Sequence, residues 1–450
     1  MMEPRLIYPT TGMEACSMTD NEARSELRQL DDRIASLENE LQQLKQQRVT
    51  QQGRSPKPLD GVRVLDLSRY IFGPFCTQTL GDLGADIIKV EPRQGGDPAR
   101  YIGGPAEDGV SVSFLARNRN KRSLAMDMRK PAAQDILRRL AEQSDVLIHN
   151  FRPGIMDRMG LATTQLRELN PTLIYCSLSG YGQSGPMTAW PGQDLLIQGM
   201  SGIISTTGWT DGPPVAAGVF LADMTGAITA TYGVLLALQA RHRHGIGQEM
   251  DVSLLDAMIA LQSMDVTAYL NSHQLPGKSG SGHWMSSQPY GIFRTADKLL
   301  VLNASSEDWW GRLCKAPEFV TLAADARFAT RESRRQHGPA LIAVLEAILR
   351  NKTRDEWLDY LSTFDVLCTP VYDYEELFNN PQVHHNDMVV TQQHPQVGDI
   401  RVIGMPVKFS KTPGDIRTPA PLLGQHTDDI LQNLGYSAHH IAQLRQDEVI

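Results

Sequence analysis

The sequence is poor in cysteine, and the few cysteines that it contains are scattered. Five occur in 450 residues, at Cys16, Cys76, Cys176, Cys314 and Cys368, with no CxxC pair and no Cys/His spacing typical of a metal site. Their odd number and wide separation exclude a disulfide framework and a structural zinc site as the basis of the fold. We therefore expect no bound metal.

Glycine motifs that bind nucleotides or mark hydrolases are also missing where they would be needed. Between the first two predicted strands the chain reads SRYIFGPFCTQTLGDLG, without a GxGxxG fingerprint, although Glu91 at the end of the second strand would suit a dinucleotide site. GxxxxGK[ST] and GxSxG do not occur. Dinucleotide binding, P-loop chemistry and a serine-hydrolase site are therefore disfavoured.

The chain has no excess of basic residues, because 43 Lys and Arg stand against 51 Asp and Glu, a net charge of −8. This balance argues against a nucleic-acid partner. Residues 1–17 lack the apolar segment of a signal peptide. The longest apolar run, 224–240, is short for a membrane span and predicts a buried helix. We expect a cytoplasmic protein with no membrane partner.

The N-terminal 57 residues differ in character from the rest of the chain. Thr19 and Glu22 form a capping-box signature, which predicts the start of a helix. Apolar residues then recur at spacings of three and four, at Leu27, Leu30, Ile34, Leu37, Leu41 and Leu44. This heptad pattern predicts a helix over about 20–48. Three heptads are compatible with a short coiled coil and with a helix packed on the protein body.

From residue 59, short apolar runs alternate with helical segments. The predicted strands are 62–67, 85–91, 123–128, 145–150 and 173–180. Such alternation predicts an α/β fold with a Rossmann-like, doubly wound and mostly parallel sheet. Residues 291–305 are typical of a β-hairpin, and they predict a second, smaller α+β domain.

Asp223 is the one charged residue in an otherwise apolar or small stretch at 212–240. It stands near the start of a predicted long helix, where aspartate is a favoured N-cap. The residues alone favour a helix cap, with a functional carboxylate as the alternative. Asp194 precedes a second apolar run and has the same two interpretations.

Basic residues concentrate between positions 89 and 158, and several follow predicted strands. They are Lys89, Arg93, Arg100, Arg117, Arg119, Lys121, Arg122, Arg129, Arg152 and Arg158. Doubly wound folds bind ligands at that edge of the sheet, so the cluster is compatible with a phosphorylated ligand. Composition alone favours a solvated face.

A series of motifs runs in order from residue 58 towards the C-terminus. They include GVRVLDLSRYIFGPFCTQTLGDLGADIIKVEPRQGGDPAR, NRNKRSLAMDM, DVLIHNFRPGIMDRMGL, NPTLIYCSLSGYGQSGP, PGQDLLIQGMSG, TGWTDGPP, ADMTGA, GIGQEMDVSLLDAM and TPAPLLGQHTDDILQNLGY. Together they resemble the class III CoA-transferase family (CaiB/BaiF family), to which formyl-CoA transferase and α-methylacyl-CoA racemase belong. The resemblance covers about 58–450 and leaves the first 57 residues outside.

The resemblance implies a catalytic role for two acids and two backbone amides. The block LADMTGA places the nucleophile of the family's transferases on Asp223, which would carry CoA between an acyl-CoA and a carboxylic acid in a ping-pong reaction. Asp194 occupies the family's second acidic position. The segment RYIFGP implies that the amides of Ile71 and Phe72 stabilise the oxyanion.

The resemblance also implies a set of residues around CoA, which is a substrate of the family and not a permanently bound cofactor. The matching positions are Arg93, Met126, Arg129, Asn150, Phe151, Arg158 and Met159. For Arg129 and Arg158 this raises phosphate binding above the solvated-face interpretation. Partners are then an acyl-CoA and a small carboxylic or dicarboxylic acid.

Two other functions stay open at this point. Racemases of the family have histidine where this chain has Gln193, and a glutamine side chain does not move protons at neutral pH. Gln193 therefore favours CoA transfer over racemisation. A CoA-binding scaffold that recruits a partner through the heptad helix is the third possibility, and the two retained acids argue against it.

The resemblance also suggests how the chain is organised. We expect an N-terminal extension at 1–57, a large Rossmann-like CoA-binding domain at 58–265, a linker and small domain at 266–400, and a C-terminal segment at 401–450 that returns to the large domain. The family forms interlocked dimers, so we expect a homodimer. The Gly/Ser loop at 277–282 corresponds loosely to a lid over the active site.

Overall fold

The computed structural model describes residues 25, 27–37, 39–40, 43, 55–103, 106–107 and 110–450. The chain divides into two compact units, Met1–Lys57 with Ser410–Pro413, and Pro58–Phe409 with Gly414–Ile450. In the first unit, the described residues up to position 43 are helical, as the heptad pattern predicts. Leu27, Leu30, Ile34 and Leu37 are 52–60% exposed. The rest of the predicted helix, with Leu41 and Leu44, lies outside the described residues, and the coiled coil stays a prediction.

The second unit is built on a six-stranded sheet in which all neighbouring strands are parallel. Its strands are β1 (Arg63–Asp66), β2 (Asp86–Pro92), β5 (Lys121–Met126), β6 (Val146–His149), β7 (Ile174–Ser179) and β8 (Glu249–Ser253), in the order β5-β2-β1-β6-β7-β8. Two short strands, β3 (Ala106–Glu107) and β4 (Val110–Ser111), form a separate antiparallel pair. The predicted parallel α/β sheet is confirmed, with strand ends that differ by up to two residues.

The central strands are rich in apolar residues because both faces of the sheet are covered. Leu65, Ile88 and Tyr175 point into one hydrophobic cluster, while their neighbours Val64 and Ile174 point into another. Alternate side chains of a strand face opposite sides, so burial on both sides produces continuous apolar runs. The C-terminal helices share the first cluster with the sheet.

The helices of this region cover the sheet and lead into the loops at its edge. They are α1 (Phe72–Asp82), α2 (Val112–Leu115), α3 (Pro131–Glu142), α4 (Ile155–Arg158), α5 (Thr163–Leu169), α6 (Asp194–Met200), α7 (Ile203–Thr206), α8 (Leu221–His244), α9 (Leu254–Leu261) and α10 (Ser263–Ser272), with a 3₁₀ turn at Pro98–Arg100. At the C-terminus, α18 (Thr427–Asn433) and α19 (Ala438–Gln446) pack on β5 and α3.

Helix α8 is longer than its apolar run of 17 residues suggests. It has 24 residues, and by length and composition alone it could cross a membrane. One of its faces, with Ala227, Ala230 and Val234, is buried in the second hydrophobic cluster. This face agrees with the predicted buried helix, whereas Ile228, Tyr232 and Leu236 on another face are 54–64% exposed.

A smaller α+β region follows, with its own core. Strands β9 (Tyr290–Arg294), β10 (Leu299–Asn303) and β11 (Leu367–Pro370) form an antiparallel sheet, and β9 with β10 is the predicted hairpin. Its helices are α11 (Glu307–Lys315), α12 (Val320–Ala324), α13 (Arg331–Gln336), α14 (Gly338–Leu349), α15 (Arg354–Ser362), α16 (Tyr374–Asn379) and α17 (Pro381–His385), with a 3₁₀ turn at Pro317–Phe319. A final hairpin joins β12 (Val389–His394) to β13 (Gly398–Ile403).

Candidate active site

The sheet order places a crevice between the carboxyl ends of β1 and β6. In the sheet, β2 lies on one side of β1 and β6 lies on the other, so the direction of the chain across the sheet reverses at β1. Doubly wound sheets bind ligands at this kind of topological switch point. Two residues that follow these strands bind each other across the crevice. The Arg69 N–H donates to Asn150 Oδ1 at 2.9 Å, and Asn150 Nδ2 donates to the Arg69 carbonyl oxygen at 2.8 Å.

A cavity of about 1130 Å³, which we call the Asp223 cavity, opens on one side of this crevice. Its walls come from the loops after β1, β6 and β7, from α2, and from the first turns of α6 and α8. The lining residues are Tyr70, Ile71, Phe72, Ala99, Ile102, Gly103, Val112, Ser113, Ala116, Arg117, Asn150, Leu178, Ser179, Gly180, Gly192, Gln193, Asp194, Leu195, Phe220, Asp223 and Leu254. Both predicted acids and both predicted oxyanion residues therefore meet in one cavity.

Asp223 does not cap its own helix, and the interpretation as an N-cap is wrong. Helix α8 begins at Leu221 after Phe220, so Asp223 is the third residue of the helix, and the N-cap makes no side-chain hydrogen bond. The apolar residues before Asp223 continue the helix because Leu and Ala are good helix formers. The carboxyl of Asp223 is thus free to face the cavity.

The cap comes instead from Asp194. Its Oδ1 accepts a hydrogen bond from the Asp223 N–H at 3.0 Å, and its Oδ2 accepts one from Gln198 Nε2 at 2.6 Å. Gln198 Oε1 in turn accepts from the Ala217 N–H at 2.9 Å. A side chain 29 residues away in sequence therefore satisfies an N-terminal amide of α8 that has no intrahelical partner.

Two neighbours of opposite charge act on the Asp223 carboxyl. Burial of the group and the nearby Asp194 raise its pKa to about 7, while Arg117 acts in the opposite direction. Asp194 is 5% exposed, so its charge is poorly screened by water. Near neutral pH, Asp223 therefore exchanges readily between the carboxylate and the carboxylic acid.

The loop between β1 and α1 holds the predicted oxyanion amides in a constrained turn. Tyr70 has a φ of +67°, a left-handed conformation that is unusual for a residue with a side chain. Its N–H donates to Asp97 Oδ1 at 3.1 Å. Helix α1 begins at Phe72 with Ile71 as its N-cap, and the first N–H groups of a helix have no intrahelical acceptor. These amides are available to a ligand oxygen.

Glycines allow close approaches at the site. A Cβ added at Gly180 would lie 2.5 Å from the Cα of Gly192, in the cavity wall. A Cβ at Gly226 would lie 2.6 Å from Leu254 Cδ2 and 2.9 Å from Phe72 Cε2. Gly226 therefore makes room for neighbouring side chains.

A second cavity, of about 500 Å³, lies on the other side of the crevice, and we call it the basic cavity. Its lining residues are Arg69, Pro92, Arg93, Gln94, Met126, Asp127, Met128, Arg129, Lys130, Phe151, Ile155, Met159 and Glu448. Five of the seven predicted CoA residues are among them. Asn150 lines the Asp223 cavity, and Arg158 is exposed on α4 and lines neither cavity.

The cations of the basic cavity are partly engaged. Arg93 Nη2 lies 2.9 Å from Glu448 Oε1, and Arg129 Nε lies 2.8 Å from Asp127 Oδ1, where it lowers the pKa of that carboxyl to about 2. The Arg69 guanidinium lies 5.0 Å from the centre of the Phe151 ring. The buried Nε of Arg69 has no hydrogen-bond partner among the residues that the structure describes. Burial lowers the pKa of the Arg69 guanidinium.

Four residues of the basic cluster are neither a solvated face nor a phosphate site. Lys89 pairs with Asp97 at 2.9 Å and Lys121 with Asp66 at 3.1 Å, with all four side chains fully buried. Arg100 pairs with Glu91 at 2.7 Å, and Arg119 pairs with Asp82 at 2.7 Å. Buried charges of this kind persist because each is paired and hydrogen-bonded.

Sequence reasoning missed three residues of the site: Arg69, Arg117 and Gln198. A signal existed for Arg69, because it directly follows the first strand, at the edge where ligands bind. Arg117 was grouped with the other basic residues without a role of its own. Gln198 gave no signal, because its function depends on the long-range contact with Asp194. The loop at 277–282 does not line either cavity; Gly280 N–H donates to the Gly208 carbonyl oxygen, and a lid role stays a prediction.

Comparisons with known proteins identify the family to which the chain belongs. A family model described as CoA-transferase family III matches residues 59–427. An acyl-CoA transferase from Fusarium pseudograminearum is 38% identical over 406 residues, which are 87% of this chain and 88% of that protein. A succinyl-CoA:glutarate CoA-transferase from Mus musculus is 37% identical over 380 residues, 84% of this chain and 87% of that protein.

A solved structure of the same family has a similar fold. The crystal structure of a CaiB/BaiF family protein from Brucella suis matches with a TM-score of 0.76 and 34% identity. The match covers 85% of this chain and all of that one, 100%. Because these matches extend over most of the chain and of each relative, the chain belongs to CoA-transferase family III and is a CoA-transferase.

Proposed function

We propose that this enzyme moves CoA from an acyl-CoA donor to a carboxylic acid acceptor by a ping-pong reaction in which Asp223 is the nucleophile. The observation that carries the proposal is the position of the Asp223 carboxyl, half-buried in the first turn of α8 and beside a second carboxylate in the Asp223 cavity. No other acid besides Asp194 lines that cavity among the described residues.

The first half-reaction loads the enzyme with CoA. An oxygen of the Asp223 carboxylate attacks the thioester carbonyl carbon, the carbon–sulfur bond breaks, and CoA leaves as a thiolate. The product is a mixed anhydride between Asp223 and the acyl group. The thiolate then attacks the aspartyl carbonyl, which releases the donor acid as a carboxylate and leaves an aspartyl-CoA thioester.

The second half-reaction repeats these steps in reverse with a different acid. The acceptor carboxylate attacks the aspartyl thioester, and CoA thiolate leaves as a new anhydride forms. The thiolate attacks the acceptor's acyl carbonyl in this anhydride, giving the new acyl-CoA and restoring the Asp223 carboxylate. No proton is gained or lost over the cycle, so the site needs no acid/base residue at Gln193.

The electrostatics of the cavity support a nucleophilic carboxylate. Carboxylates react poorly in water because solvation stabilises the anion, and burial removes part of that stabilisation. The pKa of about 7 for Asp223 expresses the same effect. A more basic carboxylate is a better nucleophile, and with this pKa about half of it is ionised at neutral pH and most of it one pH unit above.

Each tetrahedral intermediate carries an oxyanion that needs donors already in place. The amides of Ile71 and Phe72 are proposed for this role, since both residues line the same cavity as Asp223. The Tyr70 turn precedes these amides and is held by Asp97. We propose Asp194 as the group that fixes the Asp223 backbone and tunes its carboxyl.

The basic cavity is proposed to hold the nucleotide end of CoA. Arg93 and Arg129 would bind phosphates, for which guanidinium groups are well suited, and Met126, Phe151 and Met159 would contact the apolar parts. Asn150 lies between the two cavities, on the path from nucleotide to thioester. Arg158 does not line this cavity, so it would contact the CoA phosphates only from outside the cavity wall.

The decisive experiment uses mass spectrometry after mixing the enzyme with acyl-CoA donors and no acceptor. We expect a CoA adduct on the peptide that contains Asp223, and transfer when an acid is added. Asp223→Asn should form no adduct and lose at least about 1000-fold in turnover while it still binds CoA. Asp359→Asn, an exposed acid of the small region, is the matched control and should behave as the unchanged enzyme. Turnover in Asp223→Asn, or transfer without any adduct, would contradict the mechanism.

We further propose that the enzyme is a cytoplasmic homodimer. An exposed apolar stripe on α8 supports a second copy as its cover, because Ile228, Tyr232 and Leu236 are 54–64% exposed at a spacing of four residues. Exposed stripes of this kind mark interaction surfaces. Sedimentation of the purified chain should give the mass of a dimer, and a monomer would refute this.

A further inference from the structure

The Asp223 cavity contains a cation that the transfer reaction itself does not require. Among the described residues that line the cavity, Arg117 is the one basic side chain, and the other charged residues are Asp194 and Asp223. A reaction between a thioester and a monocarboxylic acid needs a nucleophile and oxyanion donors, which the cavity already has. Arg117 therefore calls for a separate explanation.

The Arg117 side chain is held in place but not neutralised. Its Nη1 donates to the Ser113 carbonyl oxygen at 2.9 Å and to Ser113 Oγ at 2.8 Å. Within the part of the chain that the structure describes, no carboxylate forms an ion pair with Arg117, and its Nη2 and Nε donate no hydrogen bond. One edge of the guanidinium is thus fixed, and the other keeps its donors for a ligand.

Arg117 is also electrically coupled to the reaction centre without touching it. Its charge lowers the pKa of Asp223, and Asp223 in turn raises the pKa of Arg117 against the effect of burial. The surfaces around them are mostly apolar and include Ile102, Val112 and Phe220. The cavity therefore offers a carboxylate nucleophile, an apolar middle and a separate unpaired cation.

We propose that Arg117 binds the distal carboxylate of a dicarboxylic acyl group, while the other carboxyl of that group reacts as the thioester or acid beside Asp223. The inference rests on the proposed function, and it adds the substrate class: short α,ω-dicarboxylic acids. A guanidinium can bind a carboxylate through two parallel hydrogen bonds, which a methyl terminus cannot replace. A half-buried cation left unpaired by a monocarboxylate disfavours that substrate.

A simpler role for Arg117 is to keep Asp223 ionised. In that case its removal would slow every substrate equally, because the nucleophile is common to all of them. The proposed role predicts a loss that depends on the far end of the acyl chain. The two roles are therefore separated by donors of equal carbon number that differ only at that end.

The test follows aspartyl-CoA formation on Asp223 in a single turnover, with glutaryl-CoA and pentanoyl-CoA as separate donors and no acceptor. The unchanged enzyme should react faster with glutaryl-CoA. Arg117→Gln should lose about 10- to 100-fold in the second-order rate constant of aspartyl-CoA formation with glutaryl-CoA, the equivalent of hydrogen bonds to a charged group, and less than about 3-fold with pentanoyl-CoA. Arg117→Lys should recover part of the preference, since it keeps the charge. Arg335→Gln, an exposed arginine of the small region, is the control.

The outcomes separate this inference from the proposed function. Equal losses with both donors in Arg117→Gln, or an unchanged enzyme without preference for glutaryl-CoA, would overturn the role of Arg117 and leave Asp223 as the nucleophile. Absence of an adduct with every donor in the unchanged enzyme would refute the proposed function, and the inference with it. Retained reaction of Arg117→Gln with pentanoyl-CoA shows that the variant is folded.

Discussion

Replacing Asp194 by asparagine should have two effects that can be measured separately. Asp194 accepts two hydrogen bonds, from the Asp223 N–H at 3.0 Å and from Gln198 Nε2 at 2.6 Å. An asparagine side chain has a single acceptor oxygen, so one of the two donors would face an NH₂ group. Gln198 cannot turn to compensate without losing the bond that its oxygen accepts from Ala217.

The structural effect is a loss of stability. One buried hydrogen bond to a charged group is lost and one donor is left unsatisfied, which lowers the free energy of unfolding by about 1–3 kcal/mol. The raised pKa of Asp223 means that the folded state binds its proton more tightly than the unfolded chain does, so stability falls as pH rises from about 3.8 to about 7. In Asp194→Asn this fall should be smaller. The variant should therefore be closer in stability to the unchanged enzyme at pH 8.5 than at pH 6.

The chemical effect is a shift in the pH dependence of CoA loading. Burial is the larger cause of the raised pKa of Asp223, and the Asp194 charge is the second. Removing that charge should lower the pKa of Asp223 by about 1 unit. Single-turnover rates of aspartyl-CoA formation between pH 5 and 9 should rise about tenfold per pH unit below the midpoint, because only the carboxylate attacks. The midpoint should move from about 7 to about 6.

Two results would refute this reasoning. An unchanged midpoint in Asp194→Asn would show that Asp194 does not influence the ionisation of Asp223. A midpoint near the ordinary aspartate value in the unchanged enzyme would show that burial does not raise it. Slower loading at every pH, with a shifted midpoint, would still agree with the prediction, since Asn also disturbs the position of the Asp223 backbone.

Two further variants probe the walls of the site. Gly180→Ala should lower the free energy of unfolding by about 1–3 kcal/mol and reduce CoA loading, because the added Cβ would lie 2.5 Å from Gly192 Cα. An unchanged melting temperature would contradict the close packing of these two residues. Arg69→Gln should weaken CoA binding about 10-fold in calorimetry, because a cation of the basic cavity is lost. The affinity for CoA should also depend less on salt concentration, while a saturating acyl-CoA donor should still load Asp223 with CoA. Equal affinity at low and high salt in the unchanged enzyme would exclude this ionic contribution.

The sheet was predictable because its strands are buried on both faces. Residues such as Val64 and Leu65 are both apolar although they point to opposite sides, and an apolar run of that length between helical segments predicts a parallel strand. The motifs also singled out Asp223 and Asp194, which line one cavity, while their catalytic roles stay a prediction. Composition and spacing alone would have left both as helix caps.

The parts that failed depend on contacts between distant residues. The start of α8 was misplaced because no capping side chain stands before it in sequence; the cap is Asp194, on another helix. Lys89 and Lys121 were grouped with solvent-facing or ligand-binding cations because no sequence pattern pairs them with Asp97 and Asp66, which only the fold brings into contact with them. Charge alone does not reveal whether a lysine is in solvent or in the core.

The buried pair of Lys89 and Asp97 has a further consequence for engineering. Lys89 donates to the Ser68 carbonyl oxygen at 2.9 Å, and Asp97 accepts from the Tyr70 N–H, so the pair supports the strained loop before α1 from both sides. Apolar replacements of buried ion pairs are often neutral or stabilising for the fold. A selection for heat resistance alone would therefore tolerate loss of this pair. A selection for turnover would reject it, since the loop would relax and the amides that follow would lose their alignment.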